Sequence, residues 1–170
     1  MHHRATRGFT LLELMAAVAV LGVLLAVGVP SFSNIIRKNR IATHTNEIVA
    51  ALALARSEAV KRSEPVAVCS TDASQTDCAA GWSGGWIMFT DGATAGIVDG
   101  TDVILQRWSA PSDDRIGVTG TLLSVRFLRD GRAQAAADFT VVPSSCHERD
   151  VRVVQLNAAG RAVTRVGDCP

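Results

Sequence analysis

The first thirty residues constrain this chain more than any other stretch. A basic head carrying Arg4 and Arg7 leads into Gly8 and Phe9. Thr10-Leu11-Leu12-Glu13-Leu14-Met15 then opens an apolar run that ends before Pro30. Between Glu13 and Pro30 no residue is charged. Counting from Phe9, the segment offers about 20 residues, enough to cross the hydrocarbon core of a bilayer at about 1.5 Å per residue. A secretory signal peptide carries its small-residue cleavage site after the apolar core. Here the only leader the order allows, residues 1–8, lies before it. Arg4 and Arg7 precede the span and the next basic residue is Arg37, so the charge bias places the N-terminus in the cytoplasm and the rest outside. Arg37, Lys38 and Arg40 oppose that bias.

Glu13 is costly inside lipid unless it is neutralised, paired or near the interface. A carboxylate in the first turn of a helix is also favoured by the helix dipole. The combination Gly8-Phe9-Thr10-Leu11-Leu12-Glu13-Leu14-Met15 resembles the leader of type IV pilins and type II secretion pseudopilins. The resemblance implies that a prepilin peptidase cuts between Gly8 and Phe9 and methylates the new N-terminus at Phe9. It implies further that Glu13 pairs with the N-terminus of a neighbouring subunit during assembly. The partners it implies are the peptidase, other major and minor pilins or pseudopilins, and the inner membrane. The expected location is single-pass in that membrane with the C-terminal domain periplasmic, or at the cell surface once the chain is built into a pilus.

With 170 residues, 48% of them hydrophobic, there is room for one anchor and one modest globular domain. The net charge of +1 hides a gradient. From Glu64 to Asp114 the acids face Arg107 alone, whereas beyond Arg115 arginines outnumber acids, so the C-terminal end is the basic end. Ile41, Ile48, Leu52, Ala55 and Ala59 form one stripe of an amphipathic helix over 31–64, with Asn46, Glu47, Arg56, Ser57 and Lys61 on other faces. Pro30 should kink this helix rather than end it, and Pro65 marks its stop. After Pro65, residues 65–170 read as a β-rich domain. Strands are expected at 66–69, 86–89, 103–108, 122–128, 139–142, 151–156 and 162–166, with a tight hairpin at Asp130-Gly131. The fold class is α+β and pilin-like: a long N-terminal helix, transmembrane over 9–30 and amphipathic over 31–64, packed on antiparallel sheets.

The four cysteines lie in the part expected outside the cytoplasm, where disulfides persist. Cys69 with Cys78 closes a small loop and Cys146 with Cys169 ties the C-terminus back to the last sheet. Three pairings are possible on sequence grounds. Zinc is the weaker reading, because no C-x-x-C spacing occurs and His44 and His147 are poorly placed. Asp91-Gly92, Asp99-Gly100 and Asp102 miss the calcium-loop spacing and suit β-turns better. No cofactor or metal is expected. Ser144-Ser145-Cys146-His147 is the only nucleophile-base cluster, and neighbours along a strand or turn point apart, so the chain is not read as an enzyme.

Gly85-Trp86-Ile87-Met88-Phe89-Thr90-Asp91 resembles the G-W-x-x-F-x-D stretch of FimT and GspH proteins, the minor-pilin and minor-pseudopilin branch of the family. FimT proteins of naturally competent bacteria are understood to bind DNA through a C-terminal G-R-x-R motif. Gly160 and Arg161 match it, Val163 replaces the second arginine, and Arg165 follows two residues later. On a strand both spacings keep the arginines on one face, but the separation grows from about 6.6 to about 13 Å at about 3.3 Å per residue. With Asn157 to Gly160 as the turn, Leu156 faces Arg161 and Arg152 faces Arg165, which gathers three arginines on one surface. Val151, Val153, Ala162 and Val166 then take the opposite, core-facing side. The residues expected to contact double-stranded DNA without reading bases are thus Arg152, Gly160, Arg161 and Arg165. The resemblance implies a minor pilin acting in pilus assembly and in natural transformation, or a GspH-like minor pseudopilin of type II secretion with a purely structural role.

Replacing Glu13 by alanine should leave membrane insertion intact and impair incorporation into filaments, read by fractionation and by the amount of the chain in sheared filaments. Normal incorporation would remove the pairing role.

Overall fold

The computed structural model describes residues 10–111, 116–146 and 149–169; the expected leader, Gly8 and Phe9 lie outside them. Thr10 caps the first helix. Its Oγ1 accepts the Glu13 N–H at 3.2 Å, which satisfies one donor that a helix start leaves open, and its carbonyl accepts the Leu14 N–H at 3.1 Å as the first bond of the helix. Helix α1 covers Leu11–Arg62, and Pro30 lies within its helical backbone. The chain divides between Asn39 and Arg40 into two compact units. In the first, apolar side chains such as Leu11, Leu12, Val18 and Leu24 are exposed. The span expected over 9–30 starts outside the described residues, and among the described residues no helix is long and apolar enough to cross a membrane.

The second unit carries the core. Ile41, Ile48, Leu52, Ala55 and Ala59 are all buried, as their spacing requires, and Thr45 joins them by donating its hydroxyl to the Ile41 carbonyl at 2.6 Å. The helix ends before Pro65, at a left-handed Ser63 (φ 54°) whose N–H reaches back to the Val60 carbonyl. Eight strands follow: β1 Val66–Ser70, β2 Gly85–Thr90, β3 Ile104–Ser109, β4 Ile116–Gly120, β5 Ser124–Phe127, β6 Ala137–Pro143, β7 Val151–Leu156 and β8 Ala162–Gly167. They form two four-stranded antiparallel sheets, ordered β3-β2-β1-β5 and β4-β6-β7-β8.

One apolar cluster joins the α1 stripe to both sheets, through Val66, Val68, Trp86, Val125 and Phe127 on one side and Val118, Phe139, Val141, Val154 and Leu156 on the other. Trp82 sits where they meet, edge-on to Phe139 at 4.7 Å between ring centroids, with its Nε1–H donated to the Leu122 carbonyl at 2.8 Å. Strand β4 was not among the strands expected from sequence, because Gly117 and Gly120 interrupt the β-type residues Ile116, Val118 and Thr119. Gly120 is there for space: a methyl group on it would lie 2.5 Å from Trp82 Nε1. The strand expected over 122–128 begins only at Ser124, since Leu122 and Leu123 turn their carbonyls to Trp82 and to the Ser70 N–H.

Strands β1 and β2 are buried on both faces. Their outer face, Ala67, Cys69, Ile87 and Phe89, is covered by Val98, Ile104 and Cys78, the last bound to Cys69. Asp91 anchors this cover. Fully buried, it accepts the Gly96 N–H at 3.0 Å and pairs with Arg126 Nε at 2.8 Å, while Arg126 Nη2 donates to the Asp91 carbonyl. Burial pushes the Asp91 carboxyl above its ordinary value, ahead of the opposing pull of Gly96 and Arg126. Asp99 and Asp102 hold the same loop by accepting N–H groups of Thr94, Thr101, Gly92 and Asp99 itself. The acid-glycine pairs are therefore turn-formers.

Asp91→Ala should destabilise the domain by about 3 kcal/mol in urea unfolding, because Arg126 loses its partner. A raised folded-state pKa contributes stability that is present at low pH and lost as pH rises. Relative to Asp91→Asn, the wild type should accordingly lose stability as pH climbs above about 4. A flat difference across that range would refute the account.

Candidate nucleic-acid interface

The basic C-terminal end is built on two reverse turns that share their backbone hydrogen bonds and differ in the side chain that caps them. In the first, the Gly131 N–H is donated to the Leu128 carbonyl at 2.8 Å, the Leu128 N–H to the Arg132 carbonyl at 2.8 Å, and the Arg132 N–H to Asp130 Oδ1 at 3.0 Å. In the second, the Gly160 N–H is donated to the Asn157 carbonyl at 2.9 Å, the Asn157 N–H to the Arg161 carbonyl at 3.1 Å, and the Arg161 N–H to Asn157 Oδ1 at 3.0 Å. Gly131 (φ 77°) and Gly160 (φ 76°) occupy the left-handed position that such a turn needs before the chain rejoins its partner. The Asp130-Gly131 turn expected from sequence is thus present, closed by a single bridge, Phe127 to Ala133, rather than by a full second strand.

These turns pack against each other. The Ala133 N–H is donated to the Ala158 carbonyl at 3.1 Å, and a methyl group on Gly160 would lie 2.3 Å from the Gly131 carbonyl oxygen. Arg56 of α1 donates from Nη1 to the Gly160 carbonyl at 3.3 Å, and its Nε lies 3.2 Å from where a Gly131 methyl group would be. Gly160 is consequently fixed by the fold whatever else it does.

The turn also sets the register of the last hairpin. Asn157 and Arg161 form the closing pair, so Leu156 faces Ala162, Val153 faces Arg165 and Arg152 faces Val166. This corrects by one residue the pairing expected from sequence. Opposed residues share a face and alternate along the strand. Arg161 and Arg165 share one face with Val153 and Val163, while Arg152 lies on the other with Val154 and Leu156. Arg152 does not join the two arginines. Its Nη1 donates to the carbonyls of Arg149 and Val151 at 2.8 and 3.0 Å. Arg161 and Arg165 are exposed, and β8 is the edge of its sheet.

Cys146 and Cys169 form the second disulfide, with Cα atoms 5.9 Å apart, and fasten the chain just beyond β8 to the segment after β6. The nucleophile cluster at 144–147 is accounted for in part by this bond; His147 lies outside the described residues. Among the described residues no group of three or more His, Cys, Asp or Glu side chains is placed to hold a metal ion. Trp86, Phe89 and Asp91 are fully buried, so the G-W-x-x-F-x-D stretch marks the fold rather than a binding surface. From sequence Arg56 was placed only on a polar face of the helix and Arg132 was given no role; the available signal for Arg132 was the repetition of Gly-Arg at 131–132 and 160–161.

A long N-terminal helix with an amphipathic half seated on two antiparallel sheets defines a pilin-like protein. A model of the family "type II transport protein GspH" matches residues 44–160, and one of the prokaryotic N-terminal methylation motif matches residues 3–29. The chain belongs to the GspH family, and its N-terminus is of the prepilin type, which implies processing by a prepilin peptidase and assembly with other pilins. Its fold is similar to that of the type IV minor pilin FimU of Pseudomonas aeruginosa, at 19% identity and a TM-score of 0.57 over 76% of this chain and 89% of that one. GspH of E. coli is similar at 16% identity and a TM-score of 0.51, over 76% and 89% of the two chains. The type IV major fimbrial protein FimA of Dichelobacter nodosus is 26% identical over 136 residues, 77% of this chain and 75% of its own length. These families are structural.

Gly160→Ala should cost about 1–3 kcal/mol of stability, from the left-handed backbone and the clash with the Gly131 carbonyl. Arg161→Gln should leave the thermal midpoint unchanged. Equal stability of the two variants would overturn the packing described.

Proposed function

We propose that this chain is a minor pilin of the FimT type, anchored in the inner membrane by residues 9–30 with its N-terminus cytoplasmic. It is cut between Gly8 and Phe9, methylated at Phe9, and carried into a pilus through Glu13. In that place it binds double-stranded DNA during natural transformation, by contacts to phosphate rather than to bases. The observation that carries the DNA reading is the common exposed face of Arg161 and Arg165 on an edge strand, at the basic end of the domain. Arginines so placed can donate paired hydrogen bonds to phosphate oxygens, and the affinity they give is sequence-independent and steeply salt-dependent. The family match favours a second reading, a minor pseudopilin of type II secretion in which the same arginines serve solubility or subunit contacts and catalysis plays no part.

The test is DNA binding by the full chain in non-ionic detergent over a salt series, wild type against Arg161→Gln/Arg165→Gln. The expected result is binding that weakens with salt and is lost in the double variant. No binding by the folded wild type would leave the secretion or purely structural role.

A further inference from the structure

The turn at 128–132 repeats the two backbone hydrogen bonds of the turn at 157–161, so Arg132 and Arg161 leave the backbone at equivalent positions, each just after a left-handed glycine. The bond from Ala133 to Ala158 brings the two segments to the spacing of hydrogen-bonded neighbours, about 5 Å. Both arginines are exposed, and among the described residues neither is in an ion pair. Other arginines are engaged internally: Arg62 with Glu58, Arg126 with Asp91, Arg107 with the Gln75 carbonyl and Arg152 with two carbonyls. Arg56 is engaged as well, donating to the Gly160 carbonyl and lying against Gly131, so it fixes the two turns to α1.

We propose that Arg132 contacts the same phosphodiester backbone as Arg161, so that the paired Gly-Arg turns form one rigid phosphate-binding end of the domain. This rests on the DNA reading above and extends it to a residue far from the C-terminal strand. Arg132 Cα is held by the turn and by the packing of Gly131 on Gly160. Less freedom is therefore lost when its side chain engages a phosphate.

The experiment measures anisotropy of a short labelled duplex of mixed sequence with the full chain in detergent, over a sodium chloride series. The chains compared are wild type, Arg132→Gln, Arg132→Lys, and Arg107→Gln as a variant of equal charge loss elsewhere. Arg132→Gln should weaken binding about five- to tenfold at low salt and lower the slope of log affinity against log salt by about one. Arg132→Lys should keep most of the affinity, and Arg107→Gln should stay within about twofold of wild type. If the wild type binds and Arg132→Gln matches Arg107→Gln, this inference is overturned while the DNA reading stands. Failure of the folded wild type to bind would overturn both.

Discussion

One face of α1 has to satisfy two sheets at once, and the rest of the Arg40–Pro170 unit follows from that demand. The stripe from Ile41 to Ala59 lies in one cluster with residues of β1, β2 and β5 from the first sheet and of β4, β6 and β7 from the second. Ala51, Ala55 and Ala59 are buried along that stripe, while Trp82 packs between Trp86 of the first sheet and Phe139 of the second. The second sheet alternates buried and half-buried side chains along β6, with the buried set toward the core. The first differs, because Ala67, Cys69, Ile87 and Phe89 point away from the helix and need a cover of their own. Two loops supply it, the β1–β2 connection stapled by Cys69–Cys78 and the β2–β3 connection anchored on Asp91. Desolvation of Asp91 is tolerated because the carboxylate organises backbone that would otherwise have no fixed course.

This division of labour explains what the sequence disclosed. The α1 stripe was legible because period and burial coincide, and β7 because Val151–Leu156 has little helical character to compete with its β-branched residues. Strand β4 was hidden because Gly120 answers to Trp82, a residue more than thirty positions away, and not to local propensity. The last hairpin was placed correctly but paired one residue off, since its register depends on whether Asn157 is the last strand residue or the first turn residue. The Asn157 side chain decides that by capturing the Arg161 N–H. A one-residue slip moves side chains between faces, which is why Arg152 was expected among the basic residues and lies elsewhere. The kinship of the turns at 128–132 and 157–161 was visible only as two Gly-Arg dipeptides. Their contact is made by backbone groups that sequence patterns do not record.

The resemblances divide along the same line. The N-terminal motif and Glu13 belong to the segment that pilin-like proteins share, and the G-W-x-x-F-x-D stretch belongs to the core of this branch. Neither distinguishes a pilus subunit from a secretion subunit. What differs between such proteins is surface, and here the surface of note is assembled from arginines whose positions the buried glycines fix.

The disulfide between Cys146 and Cys169 gives β8 a mechanical character. As the edge strand at the end of the sheet it would ordinarily peel from its free terminus, breaking one ladder bond at a time. Fastened covalently beyond Gly167 and locked at its start by the packed turn, it has no loose end from which peeling can begin. A pull on Arg161 or Arg165 is then shared by all the β7–β8 hydrogen bonds together and passed to the sheet, so the strand bears load as a tether rather than as a zipper.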